Sequence, residues 1–200
     1  MFTLVSGAYK YLTRLDEYNV LMLGPDGAGK TAMLERIKHI FTGVAGMDVE
    51  KIQPTIGVNI GKVHMKRVLI KFMDLGGQKE LRSIWEAYFE DCHAVLFMLD
   101  SERADRLDEA ERILLNLVRA EELSGVPLLV LANKQDLSDV EPLAQIKEMV
   151  NGLADSMDGR EVRVMGSSAV DGAGVRMAVD WLCNRMIENR EARPPVTSGI

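Results

Sequence analysis

Two hundred residues, 47% of them hydrophobic and 27% charged, suffice for one globular core and are too apolar for a disordered chain. The longest apolar runs, at 94–99 and 126–132, fall far short of the roughly 20 residues that span a bilayer, and two cysteines supply neither a disulfide framework nor a four-ligand zinc site. A formal charge of −6 argues against a nucleic-acid binder, so any phosphate binding must be local.

In chain order, Met1, Val5, Ala8, Leu12 and Leu15 recur at helical spacing while Lys10 and Arg14 lie four apart on another face, the pattern of an amphipathic helix. Such a stripe either packs permanently on the domain or docks on a membrane or partner. From residue 19, short apolar runs alternate with longer amphipathic segments, which predicts an α/β fold: a mostly parallel six-stranded sheet with helices on both faces. Strands are predicted at 20–23, 58–64, 68–73, 94–99, 128–131 and 162–165. Helices are predicted at 30–41, 81–89, 104–123, 142–152 and 175–189. Residues 58–73 read as a hairpin turning near 65–67, so one antiparallel strand should edge the sheet. The chain divides into the helix at 1–17, a folded domain at 18–190 and a flexible tail at 191–200 that carries Pro194 and Pro195.

The strand at 20–23 runs into Gly24, Pro25, Asp26, Gly27, Ala28, Gly29, Lys30 and Thr31, which match GxxxxGK[ST] and open a helix. Glycines let such a loop wrap with its N–H groups turned toward phosphate oxygens, and the helix N-terminus adds positive potential. Lys30 is expected at the β- and γ-phosphates, and the Thr31 hydroxyl at a magnesium ion, a hard cation that prefers oxygen.

This loop alone does not choose a base. Asn133, Lys134, Gln135 and Asp136 follow the strand at 128–131, at the carboxyl edge where open α/β sheets bind ligands. One carboxylate such as Asp136 can accept from both N1–H and N2–H of guanine, a donor pair that adenine lacks. Asn133 is expected to tie this loop to the phosphate loop, and the Lys134 stem to cover base or sugar. Taken by itself the tetrapeptide reads equally well as a polar turn. Asp74, Leu75, Gly76, Gly77 and Gln78 end the strand at 68–73: Asp74 can hold magnesium through water, the Gly77 N–H can meet the γ-phosphate, and Gln78 can orient the attacking water. Thr55, within Pro54 to Gly57, can close over the metal from a mobile loop. Ser168 and Ala169 can offer backbone N–H groups to the guanine carbonyl.

These five motifs, in this order, resemble the Ras-like small GTPases. PTIG at 54–57, LGGQ at 75–78, Trp85, Tyr88 and NKQD at 133–136 resemble the Arf family. The opening MFTLVSGAYKY, the long stretch between Thr31 and Thr55, CHAVLF at 92–97 and RPP at 193–195 are similar to its Arf-related protein subfamily. The resemblance implies a Ras-like P-loop G domain that binds GTP or GDP with magnesium and hydrolyses GTP slowly. It implies an exchange factor, a GTPase-activating protein that supplies the arginine finger, and effectors recruited to Golgi or trans-Golgi membranes in vesicle traffic. It implies a cytoplasmic protein that is peripheral on those membranes in the GTP state, through an N-terminal helix released by GTP. The family's aromatic trio is reduced here to Tyr88, with Val58 and Met73 at the other places, which puts docking of standard Arf effectors in doubt. Phe2 instead of Gly leaves no myristoylation site and the last four residues have no prenylation Cys, so the helix needs a second membrane signal or an integral membrane receptor.

Two alternatives stand beside the GTPase reading: a GTP-dependent scaffold with almost no turnover, which Gln78 speaks against, and a P-loop phosphotransferase, for which the chain offers no acceptor domain. His39, His64 and His93 have no ligand spacing and are assigned surface or packing roles. The twelve methionines are assigned mostly to the core, Cys183 to a buried thiol, and the alternating charges of 102–122 to a solvated face.

Overall fold

Strand β1 (Asp16–Leu23) is the axis of the computed structural model, which describes residues 15–65, 67–157 and 159–197. Six consecutive buried residues in β1 mark a strand covered on both faces. On one side β3 (Val68–Leu75) runs parallel to it, from Asp16 opposite Val68 to Met22 opposite Asp74; on the other β4 (Ala94–Asp100) begins at Ala94 opposite Val20. Strand β2 (Val58–Met65) edges the sheet antiparallel to β3, and β5 (Leu128–Asn133) and β6 (Val162–Gly166) extend it in parallel, giving the order β2-β3-β1-β4-β5-β6. All six expected strands are present, with the antiparallel strand at the edge.

The period of two along each strand divides the apolar residues between two cores. Val20, Met22, Phe72, Leu96, Met98, Leu129 and Leu131 face α1 (Lys30–Thr42) and α4 (Val175–Glu188), where Leu34, Ile37, Val179, Leu182 and the thiol of Cys183 are buried. Leu21, Leu23, Val95, Phe97, Val130 and Ala132 face the opposite layer of α2 (Leu107–Arg119) and α3 (Leu143–Asn151), which contributes Ile113, Leu114, Leu117, Ile146 and Val150. No described helix is long and apolar enough to cross a membrane.

Three expectations are corrected. The α-helix expected at 81–89 is wound as 3₁₀ over Lys79–Tyr88; Trp85 is its buried side chain, and the indole N–H donates to Gly76 O at 2.9 Å, which ties the segment to the end of β3. The helix expected at 104–123 is split: a 3₁₀ turn at Ala104–Arg106 leads into α2, and extended Ala120 (ψ 120°) breaks it so that the turn Glu121–Leu123 can bury Leu123. The tail expected to be flexible at 191–200 is anchored over its described part: Val196–Thr197 form β7, antiparallel to Glu17 and Asp16, beside β1 where β4 has not yet begun. Strand β1 therefore starts inside the segment assigned to the N-terminal helix at 1–17, and two residues before the expected domain boundary at 18. Residues 1–14 of that helix lie outside the described residues.

Candidate functional site

Parallel strands deliver their carboxyl ends to one edge, so the loops after β1, β3, β4, β5 and β6 meet there. After β1 the loop turns through Gly24 at φ 138°, where a side chain would run into Met98 O, and closes at Gly29, φ 85°, the N-cap of α1, where a side chain would meet the Asn133 amide. Lys30, buried at the start of α1, curls back and donates to Gly24 O at 3.0 Å and Pro25 O at 2.8 Å. Burial pushes its ammonium down to about 8, against the pull of the Asp74 and Asp26 carboxylates. A desolvated cation beneath a wrapped loop is suited to an anion.

Next to it the Thr31 hydroxyl donates to Asp74 Oδ2 at 2.6 Å and lies 2.8 Å from Thr55 Oγ1, which itself donates to Asp74 Oδ2 at 3.3 Å. Three separate segments thus bring oxygen groups to one point. Asp74 is fully buried; desolvation raises its carboxyl above the usual range, opposed by the Thr31 and Thr55 hydroxyls and Lys30, and its Oδ1 has no hydrogen-bond partner among the described residues. An all-oxygen donor set with one orphaned carboxylate oxygen fits a magnesium ion.

Gly77 is pressed against the phosphate loop: a Cβ there would lie 2.6 Å from both Asp26 N and Gly24 O and would strike Lys30 Nζ. Gln78 is half-buried beside it. Asp26, Gly27, Gly29, Lys30, Thr31, Thr55, Gly77, Gln78 and Lys134 share one cleft of about 420 Å³. The residues of the three motifs expected at the phosphates thus come together in one place.

Asn133 ties together the loops at the end of the site where the base is expected. Its amide donates to Ala28 O at 2.9 Å, which ties it to the phosphate loop as expected, and its Oδ1 accepts from Ala169 N at 3.1 Å, which adds a link to the loop after β6. Lys134 is at φ 69° and its ammonium lies 2.6 Å from Asp100 Oδ2 and 3.4 Å from Glu102 Oε2. Partial burial pulls its pKa down, but the two carboxylates prevail and hold it above the usual lysine range. Asp136 is exposed and does not line the cleft. The backbone N–H groups expected to face guanine are engaged within the protein: Ser168 N–H donates to Ala173 O and Ala169 N–H to Asn133. In this arrangement Ser168, whose hydroxyl accepts from Val170 and Asp171 N–H, braces the loop.

Sequence reasoning missed several groups around this edge. Gln135 anchors the loop after β5 by donating to Ser101 Oγ at 3.0 Å. Arg106 and Glu109, counted among the solvated charges of 102–122, face the site: Arg106 donates to Asp26 O at 2.8 Å and to Asp26 Oδ1 at 2.6 Å, as well as to Glu109. Arg106 holds the Asp26 carboxyl below the usual carboxylate range. Their i, i+3 spacing just beyond β4 was the available signal.

A profile of the ADP-ribosylation factor family matches residues 5–186. The chain is 42% identical over 197 residues to ADP-ribosylation factor-like protein 3 of Saccharomyces cerevisiae, covering 98% of this chain and 99% of that one. It is 41% identical over 196 residues to ADP-ribosylation factor-related protein 1 of Homo sapiens, covering 98% and 97%. Among solved structures, the Arl6 BBS3 small GTPase from Trypanosoma brucei, with bound nucleotide analogue GppNp, superposes with a TM-score of 0.73 at 26% identity, over 86% of this chain and 98% of that one.

Proposed function

The chain belongs to the ADP-ribosylation factor family of GTP-binding, GTP-hydrolysing switches, and from that premise we propose that it is a magnesium-dependent switch that recruits effectors to Golgi or trans-Golgi membranes in vesicle traffic. The observation that carries the nucleotide half of this reading is the convergence of Thr31, Thr55 and Asp74 beside the buried Lys30, with Gly77 against the phosphate loop. Thr31 and Thr55, and Asp74 through water, would hold the magnesium ion; bound, it would neutralise charge on the β- and γ-phosphate oxygens. Lys30 and the N–H groups of residues 26–31 bind the phosphates, Asp136 accepts the guanine donors, and Gln78 orients the attacking water.

Two loops bring Thr55 and Gly77 to the phosphate loop, and a γ-phosphate that bridges them would hold this closed arrangement, which would make the nucleotide legible on the surface. Ile56, 86% exposed next to Thr55, Ile60 on β2 and Ile84 on the 3₁₀ segment after Gln78 would form the docking face for effectors. An exchange factor and a GTPase-activating protein complete the cycle, the latter supplying the arginine finger. For the membrane end, the support is the apolar spacing of Met1, Val5, Ala8, Leu12 and Leu15. Released by GTP, that segment would hold a membrane or an integral membrane receptor.

The test is a pair of substitutions. Asp136→Asn replaces one acceptor by a donor facing a guanine donor, so GTP affinity falls steeply and xanthosine triphosphate binds the variant better than the native chain. Gln78→Leu keeps nucleotide binding and stays GTP-loaded in single-turnover assays with an activating protein. An unchanged base preference sinks the assignment of Asp136, and unchanged hydrolysis sinks that of Gln78.

A further inference from the structure

Five links close a ring around the catalytic edge. From the phosphate loop, Asp26 is held by Arg106 through its carbonyl at 2.8 Å and its carboxylate at 2.6 Å. Arg106 also donates from Nε at 3.0 Å and Nη2 at 2.7 Å to Glu109 Oε2. The other oxygen of that carboxylate, Oε1, accepts from Arg82 Nη2. Arg82, on the 3₁₀ segment after Gln78, turns its Nε back to donate to Gly77 O at 3.0 Å. Gly77 in turn lies against Asp26 N, where even a methyl group would be 2.6 Å away.

One carboxylate therefore divides its two oxygens between two guanidinium forks, one gripping the phosphate loop and the other the γ-phosphate sensor. Arg82 and Arg106 are about one-fifth exposed and Glu109 under one-third, so water screens the ring only in part. The Gly77 carbonyl belongs to the same peptide plane as the Gln78 N–H, so fixing that oxygen fixes how the Gln78 backbone leaves the sensor. Arginine suits this task because its planar fork sets direction as well as charge.

We propose that Arg82, Glu109 and Arg106 are positioning residues for GTP hydrolysis: the relay from Asp26 to Gly77 holds Gln78 in its hydrolytic pose without contributing to nucleotide affinity. This rests on the reading of Gln78 as the water-orienting group. Glu109→Gln turns one acceptor into a donor that faces a guanidinium, and Arg82→Met removes the fork from Gly77. Each is expected to slow single-turnover hydrolysis of preloaded, radiolabelled GTP about tenfold, while GDP release stays within about twofold of the native rate. The double variant should be no slower than either single one, because both cut the same chain. Arg82→Lys, which keeps charge and loses the fork, should remain slow. Hydrogen exchange of residues 77–85, with a non-hydrolysable GTP analogue bound, should quicken in the same variants. If Glu109→Gln does not fold, Arg82→Met at the rim carries the test.

Gln78→Leu is run alongside. A slow Gln78→Leu with native hydrolysis in Arg82→Met or Glu109→Gln overturns the relay and leaves the Gln78 reading standing. Native hydrolysis in Gln78→Leu overturns that reading itself. Additive slowing in the double variant, or rescue by Arg82→Lys, overturns the proposed coupling through the fork.

Discussion

At the residue scale, Gly77 shows how one missing side chain allows the site to close. Its backbone needs no special dihedral, so the requirement is space alone: the atoms that a methyl group would meet at 2.6 Å are backbone, Asp26 N and Gly24 O, and backbone cannot yield as the Lys30 tip can. Overpacking of this kind costs about 1–3 kcal/mol. That cost falls only on the state in which the loop after β3 lies against the phosphate loop. Gly77→Ala should therefore weaken a non-hydrolysable GTP analogue roughly ten- to a hundredfold, while GDP affinity changes little. Equal losses for both nucleotides, measured by competition with a fluorescent analogue, would show that the methyl group harms the fold rather than the closed state. The motif residues around this glycine were legible in the sequence because each needs a particular chemistry at a fixed spacing: Lys30 and Thr31 open α1, and Asn133 ends β5. Arg82 and Glu109 were not, because a charge on a helical period reads as solvated until the fold shows what stands opposite it. Asp136 was legible as chemistry only: it is exposed and lies outside the lining of the cleft at Lys30 and Thr31, so its role rests on its match to guanine.

At the element scale, the buried strands carried their own signal as apolar runs, and the two-core division of β1, β4 and β5 follows from alternation within those runs. What escaped was structure set by contacts from outside the segment. The two-residue strand β7 exists because β1 extends four residues below the start of β4, leaving a vacant flank, and because His93 anchors the approach. The His93 Nδ1 accepts from Asn19 N–H at 3.0 Å, its Nε2–H donates to Pro194 O at 3.0 Å, and Tyr18 meets the ring edge-on. Arg193 adds a bond to Glu90 O at 3.2 Å. This geometry requires the neutral ring. Burial lowers the pKa, with Arg193 acting the same way and the Pro194 carbonyl and Asp91 opposing. A histidine lowered in the folded state contributes stability that is fully present above its unfolded value, near 6.5, and is lost as the pH falls through the folded value. On acidification the His93 ring protons should titrate below 6.5 in an NMR experiment, and the cross-strand contact between Glu17 and Val196 should fade over the same interval. Titration at or above 6.5 with that contact intact would show that the ring does not hold the tail.

At the scale of the whole molecule, the sheet places every reactive group at one edge and leaves that edge held by few native contacts of its own. The buried Lys30 ammonium is pushed down to about 8 and the buried Asp74 carboxyl is pushed up, so each would bind a charged partner with relief of its own desolvation. Asn133, the Thr31–Asp74–Thr55 cluster, the Arg106 ring and the pairs that Lys134 and Gln135 make with the segment after β4 are among the bonds that join loops from different strands there. A nucleotide spanning the cleft should therefore act as a major structural member of the fold. Ligand at a thousand times its dissociation constant stabilises by about 4 kcal/mol, which for a chain of this size is a rise of about 10 °C in Tm. Thermal unfolding of the full chain, first stripped of nucleotide, should show that rise with GDP or a GTP analogue plus magnesium, and little with ATP at the same concentration. Chelating magnesium should remove more of the gain from the GTP analogue than from GDP, because Thr55, which reaches the cluster in this arrangement, would serve as a metal ligand in the triphosphate state. Asn133→Ala breaks the bonds to Ala28 and Ala169, so it should lower the Tm of the nucleotide-free chain and shift the GDP titration to higher concentration. Equal stabilisation by ATP and GDP would remove guanine selectivity from the loop after β5, and an Asn133→Ala variant with native Tm and native titration would deny it the role of tie between the two ends of the site.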